Sequence, residues 1–174
     1  MNRKLLLILT ANMLLIFPLL ASSDTTKIHI TNGYQITYPY NWSSDTSKAM
    51  GTDLILFSPT VKGISAFRSN VNILVQDLSA YDLTLDQYVK ISVNQIETLI
   101  TDSKILLNKR TNGTSGPFQK MIYTGKQGKL NLKFEQYYWL VNKKAYVLTL
   151  TCDVNNFSKY QQAGEQILNS FKLK

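Results

Sequence analysis

The chain has 174 residues, 19 Lys+Arg against 11 Asp+Glu, one His, one Cys and 44% hydrophobic residues. That length suits about one domain, and the apolar fraction excludes a wholly disordered chain. A single Cys forms no internal disulfide, and one Cys with one His makes no ordinary zinc site.

Residues 1–23 have the three zones of an export signal. Arg3 and Lys4 are followed by an apolar run over residues 5–20, interrupted by Asn12 and Pro18. Ala21-Ser22-Ser23 then offers small residues, with cleavage expected after Ser23. The run is short for a bilayer core of about 30 Å, so an uncleaved anchor is the rival reading. With no Cys near its end, a lipid-modified cysteine is excluded. The mature domain, residues 24–174, is expected in a periplasm or outside the cell, and not as an integral membrane protein.

Residues 27–31 and 33–38 alternate like strands about the Asn32-Gly33 turn pair, and Pro39 ends the second. Strands are expected again over 53–58 and 69–77. The period then changes: Leu85, Tyr88, Val89, Ser92, Ile96, Leu99 and Ile100 form one stripe of a helix over 84–101. Thr84 and Gln87 supply a capping box, with Leu83 placed to staple Tyr88.

Strands return over 104–110, 117–124, 130–141 and 144–152. An Asn142-Lys143 turn sets Val141 opposite Lys144 and Trp139 opposite Tyr146. One face then carries Tyr137, Trp139, Tyr146, Leu148 and Leu150, the other Leu132, Phe134, Tyr138, Leu140, Ala145 and Val147. Two apolar faces place these strands centrally. A last helix over 156–170 turns Phe157, Tyr160, Ile167, Leu168 and Phe171 inward, and Gly164 weakens it or admits a close neighbour. The expected architecture is α+β: an α/β/α sandwich on a mainly antiparallel sheet of about six to seven strands, with helices on both faces.

In this order of elements the chain resembles the PsbP-like fold family, which includes the extrinsic photosystem II protein, a Ran-binding nuclear transport factor and DcrB-type bacterial envelope proteins. The matching residues are Gly33-Tyr34-x-Ile36-x-Tyr38-Pro39-x-x-Trp42, Val71-Asn72-Ile73-Leu74-Val75, Leu83-Thr84-Leu85-Asp86-Gln87-Tyr88 and Ile167-Leu168-Asn169-Ser170-Phe171. The resemblance covers roughly Ile28 to Lys174. The resemblance implies a non-catalytic domain that works by protein–protein contacts with an envelope or secreted partner, whose identity fold analogy does not supply.

The residues advertise no catalytic constellation, cofactor or metal site. Cys152 closes an apolar strand, where a free Cys is usually an inert hydrophobe, and His29 reads as an exposed or hydrogen-bonded strand position. Asp82 and Asp86 suit a helix N-terminus. Gly125-Lys126-Gln127-Gly128-Lys129 reads as a hairpin turn rather than a phosphate cradle.

Charge is the distinctive feature. Residues 104–144 hold nine basic residues against one acid, Glu135. Lys126, Lys129, Lys133, Lys143 and Lys144 are the candidates for an anionic partner: lipid headgroups, acidic glycans or an acidic protein. The bland alternative is a set of solvated, edge-protecting lysines. The two turns that carry most of them open at opposite ends of strand 130–141. Export argues against nucleic acid. Tyr38, Tyr40 and Trp42 are the candidate aromatic contact, with Trp42 read also as a plug of the sheet end.

Overall fold

The computed structural model describes residues 25–60 and 67–174. Residues 1–23, expected to be an export signal, therefore lie outside the described residues. Among those described, no helix is long and apolar enough to cross a membrane.

Two antiparallel sheets form. The large one has seven strands in the order β3 (Ser43–Asp45), β4 (Leu54–Phe57), β5 (Asn70–Asp77), β9 (Lys144–Asp153), β8 (Leu130–Val141), β7 (Gly116–Gln127) and β6 (Thr101–Gly113). The small one pairs β1 (Thr26–Ile30) with β2 (Tyr34–Pro39), and β2 with β10 (Lys172–Leu173). Among the described residues, two α-helices accompany the sheets, α1 (Leu85–Leu99) and α2 (Phe157–Asn169).

The β8–β9 hairpin fixes the centre. Asn142 and Lys143 both take left-handed backbone angles (φ 51° and 57°), which a two-residue hairpin turn requires. The resulting register sets Val141 opposite Lys144 and Trp139 opposite Tyr146, as expected. Side chains therefore sort onto two faces. Tyr137, Trp139, Tyr146, Leu148, Leu150 and Cys152 pack with α2 and with Tyr34, Ile36, Tyr38 and Trp42 of the first segment. Leu132, Phe134, Tyr138 and Val147 pack with Val89 and Ile96 of α1.

The sheet thus has a helix on each side, and the small sheet shares the α2 layer. Close packing of α2 rests on Gly164: a Cβ there would lie 2.5 Å from Leu150 Cδ2. On the other side, Thr84 accepts from Gln87 N while the Gln87 side chain accepts from Thr84 N, closing the capping box of α1. Leu99, expected on the inward stripe, is instead 77% exposed. The helix ends there, and Ile100 occupies the inner place, its Cγ2 against the backbone of Gly125.

Candidate functional site: two unlike sides of one sheet

The five lysines expected at an anionic site do not converge. Lys143 and Lys144 lie at one end of β8 and Lys126 and Lys129 at the other, about 40 Å apart for a twelve-residue strand. Lys144 stands opposite Asp77, and Lys126 Nζ is 2.7 Å from Asp102. Lys133 Nζ lies 4.0 Å from the centre of the Phe157 ring.

A different lysine group does come together. Lys104 and Lys109 are five residues apart, which in a regular strand would put them on opposite faces. A bulge intervenes: Ile105 pairs with Tyr123 but Leu107 with Ile122, so Leu106 is the extra residue. Both lysines consequently share the α2 face. Three rows cross β6, β7 and β8 there: Lys109–Lys120–Tyr137, Leu107–Ile122–Glu135 and Lys104–Thr124–Lys133. Lys126 ends the same side of β7. The outer rows are about 13 Å apart along the strands, and β6 and β8 about 10 Å apart across them.

The α2 helix packs on β9, β5 and β2, with the small sheet beside it, so among the described residues the β6–β7 half of this face carries no helix. Lys104 and Lys109 are exposed, and Leu107 and Ile122 are half-buried between the lysine rows. Lys109 stands directly opposite Lys120, an arrangement that costs energy unless anions offset it. Lys120 has such partners: Glu135 Oε1 at 2.6 Å and Glu165 Oε1 of α2 at 3.7 Å. Tyr137 donates to Glu135 Oε1 at 3.1 Å. Burial, with Glu135 and Glu165 nearby, keeps the Tyr137 phenol protonated far above its usual range. Glu135 is fully buried and its Oε2 has no partner. Among the described residues, Lys104 and Lys109 carry no ion pair.

The α1 side is unlike this. α1 packs with Tyr138, Val147 and Phe134, and the rows beside them toward the other end of the strands turn polar. Asn72, Thr149 and Gln136 form one polar row there, and Asn70, Thr151, Phe134 and Tyr123 the next. These residues line a groove of about 490 Å³. It shares Leu74, Ile100, Gln136 and Val147 with a smaller cavity of about 220 Å³ under α1. Reading this whole side as apolar passes over the polar alternation at 70/72 and 149/151, which was the available signal.

The aromatic candidates separate. Tyr38 and Trp42 are core residues at 7% and 3% exposure. Only Tyr40 is exposed, with Lys27 Nζ 4.6 Å from its ring centre. His29 turns inward toward Tyr34, at 6.0 Å between ring centres, while Ile28 and Ile30 face out, the reverse of a histidine on the open side of the strand. Cys152 is fully buried in the other sheet, and burial pushes its thiol up to about 11. A thiol held in that form, one sheet away from the histidine, is no activated nucleophile. Among the described residues, no three metal-ligating side chains cluster.

No protein-family model matches the sequence, and no curated protein matches it either. Solved structures do. The cyanobacterial PsbP protein CyanoP of Synechocystis is 12% identical with a TM-score of 0.65, over 88% of this chain and 95% of its own. LpqN of Mycobacterium tuberculosis, described as involved in cell envelope biogenesis, is 7% identical with a TM-score of 0.61, over 86% of this chain and 91% of its own. PA94 of Pseudomonas aeruginosa, of unknown function, is 16% identical with a TM-score of 0.60, over 83% and 94%. The chain has the PsbP-like fold. At these identities the likeness carries the architecture and no site residue.

Proposed function

We propose that this chain is an exported, non-catalytic PsbP-like domain that acts by protein–protein contacts in an envelope or secreted assembly. The observation that carries the reading is the helix-free half of the α2 face, where an apolar row, Leu107–Ile122, runs between two lysine rows. An acidic protein segment with a few apolar side chains matches that alternation. Its carboxylates reach the two lysine rows while its apolar groups meet the middle one. The export-type segment at residues 1–23 and the fold shared with an envelope-biogenesis protein support an extracytoplasmic setting.

A second reading, docking on anionic lipid headgroups or acidic glycans, is favoured by one feature: every cation on the face is Lys. Lysine attracts anions as a point charge, without the planar fork with which Arg reads a specific phosphate.

Photo-crosslinking from position 109 in living cells tests both. The protein reading predicts crosslinks to one envelope protein. Purified, that protein should bind saturably and more weakly as salt rises. Binding should fall at least about tenfold when Lys104, Lys109 and Lys133 are changed to Glu. Saturable, salt-sensitive binding to vesicles of phosphatidylglycerol with no protein crosslink would move the assignment to the second reading. Insensitivity of every interaction to the triple substitution would refute both.

A further inference from the structure

The groove on the α1 side points to a ligand of a different kind. In a chain with a formal charge of +8, the described residues that line the 490 Å³ groove and the adjoining 220 Å³ cavity include no charged side chain. The polar groups are instead side-chain amides and hydroxyls. Six amides contribute: Asn70, Asn72, Gln76, Gln95, Gln127 and Gln136. Ser92, Thr149 and Thr151 add hydroxyls, as do Tyr88, Tyr123 and Tyr138.

Such groups both donate and accept, which is what a sugar hydroxyl also does. An ionised ligand would find no counter-charge here, and a purely apolar one would strand the amides. The size fits as well, since pockets for small ligands run from about 300 to 1,000 Å³.

The arrangement within the groove is built. Tyr138 donates its hydroxyl proton to Gln136 Oε1, and Gln136 Nε2 donates to Thr149 Oγ1 at 3.0 Å. Gln136 is thereby fixed in orientation at the centre of the floor. Burial holds the Tyr138 phenol in its protonated, donating form. Among the described residues, the Asn72 amide on one side of this chain and the Thr151 hydroxyl on the other have no hydrogen-bond partner. Neither is a sealed polar atom, for both open into the groove. Two unused polar groups therefore flank a preset one, beside the stacked Phe134 and Tyr123 rings (centres 4.6 Å apart), which are largely buried and form the apolar part of the lining.

We propose that the groove binds a neutral saccharide of one or two sugar units, with Asn72, Gln136 and Thr151 as its hydrogen-bonding residues. This stands apart from the protein-docking reading, which concerns the opposite side of the sheet.

Protein purified after expression of the full chain, labelled with ¹⁵N, is titrated with maltose and with N,N′-diacetylchitobiose, and with digalacturonate as the anionic control. The proposal predicts saturable movement of the Asn72 and Gln136 side-chain amide signals with at least one neutral disaccharide and none with the anionic one. Asn72→Leu and Thr151→Val should each weaken binding about tenfold, the effect of losing one hydrogen-bonding partner at an otherwise intact site. Both should leave the Tm unchanged or raised, because each replaces an unpaired polar group by an apolar one. The matching hexasaccharide separates the sources: tighter binding than the dimer assigns the groove to a glycan chain, equal binding to a free sugar. Absence of saturable shifts with both neutral disaccharides, or binding unaltered in both variants, overturns the proposal.

Discussion

The two sides of the seven-stranded sheet carry polar groups for opposite reasons. On the α2 side they are ionic, with Lys120 held between the buried Glu135 and the half-buried Glu165, and with Lys104 and Lys109 without an ion pair among the described residues. On the α1 side they are uncharged and joined in a short chain from Tyr138 through Gln136 to Thr149. An ion pair in a core makes each partner depend on the other. A neutral amide row asks for much less, and its members can be exchanged for apolar residues without leaving a charge behind. Polarity alone thus says little about how a site resists mutation.

The largest effect should come from breaking that ionic pair on one side only. Lys120→Met leaves the fully buried Glu135 without its cation and should cost about 3–5 kcal/mol in denaturant unfolding. The double change Lys120→Met with Glu135→Leu should recover much of that loss. If the single change costs no more than the double, the ionic half of the comparison fails. Next in size is Gly164→Val, whose Cβ meets Leu150 and should cost about 1–3 kcal/mol as the helix is pushed off the sheet. On the α1 side, Thr84→Ala removes one half of the capping box and should lower stability by about 1 kcal/mol, read from the same unfolding curves.

Most strands along the chain, the β8–β9 pairing and both long helices were legible in the sequence because local signals agreed. Alternation, the Asn142-Lys143 turn and the Thr84/Gln87 box each act within a few residues. What could not be read depends on distant pairing. β10 is two residues long and exists only because it meets β2, more than 130 positions earlier. β3, at three residues, likewise has no periodicity of its own and forms against β4. The lysine face eluded the sequence for a sharper reason. One bulge residue, Leu106, reverses the parity of β6, and no composition argument reveals where a bulge falls. Hence the expected set at 126, 129, 133, 143 and 144 followed the turns, whereas the folded chain groups 104, 109, 120, 126 and 133 by register.

A smaller effect ties both sides together through pH. Tyr34, Tyr88, Tyr123, Tyr137 and Tyr138 all have phenols raised above the usual 10.0 by burial, and the Cys152 thiol is raised from 9.0 to about 11. For each, the folded state keeps its proton at a pH where the unfolded chain releases it. Stability is therefore full below about pH 9 and falls as pH rises above it. For the thiol alone the loss falls between about pH 9 and 11. Cys152→Ala should flatten that part of the curve, and an unchanged slope would remove the thiol from the account. Native Cys152 should also stay unreactive to a thiol reagent at pH 8 until the protein unfolds.

The central claim is that the lysine rows of β6, β7 and β8 form the contact surface for an acidic partner. Crosslinking from position 109 in cells, in the wild type and in the Lys104→Glu, Lys109 crosslinker, Lys133→Glu background, tests it most directly. The account predicts one dominant envelope-protein adduct that disappears in the charge-reversed background while the fold, read by Tm, persists. An adduct of equal yield in both backgrounds would contradict it.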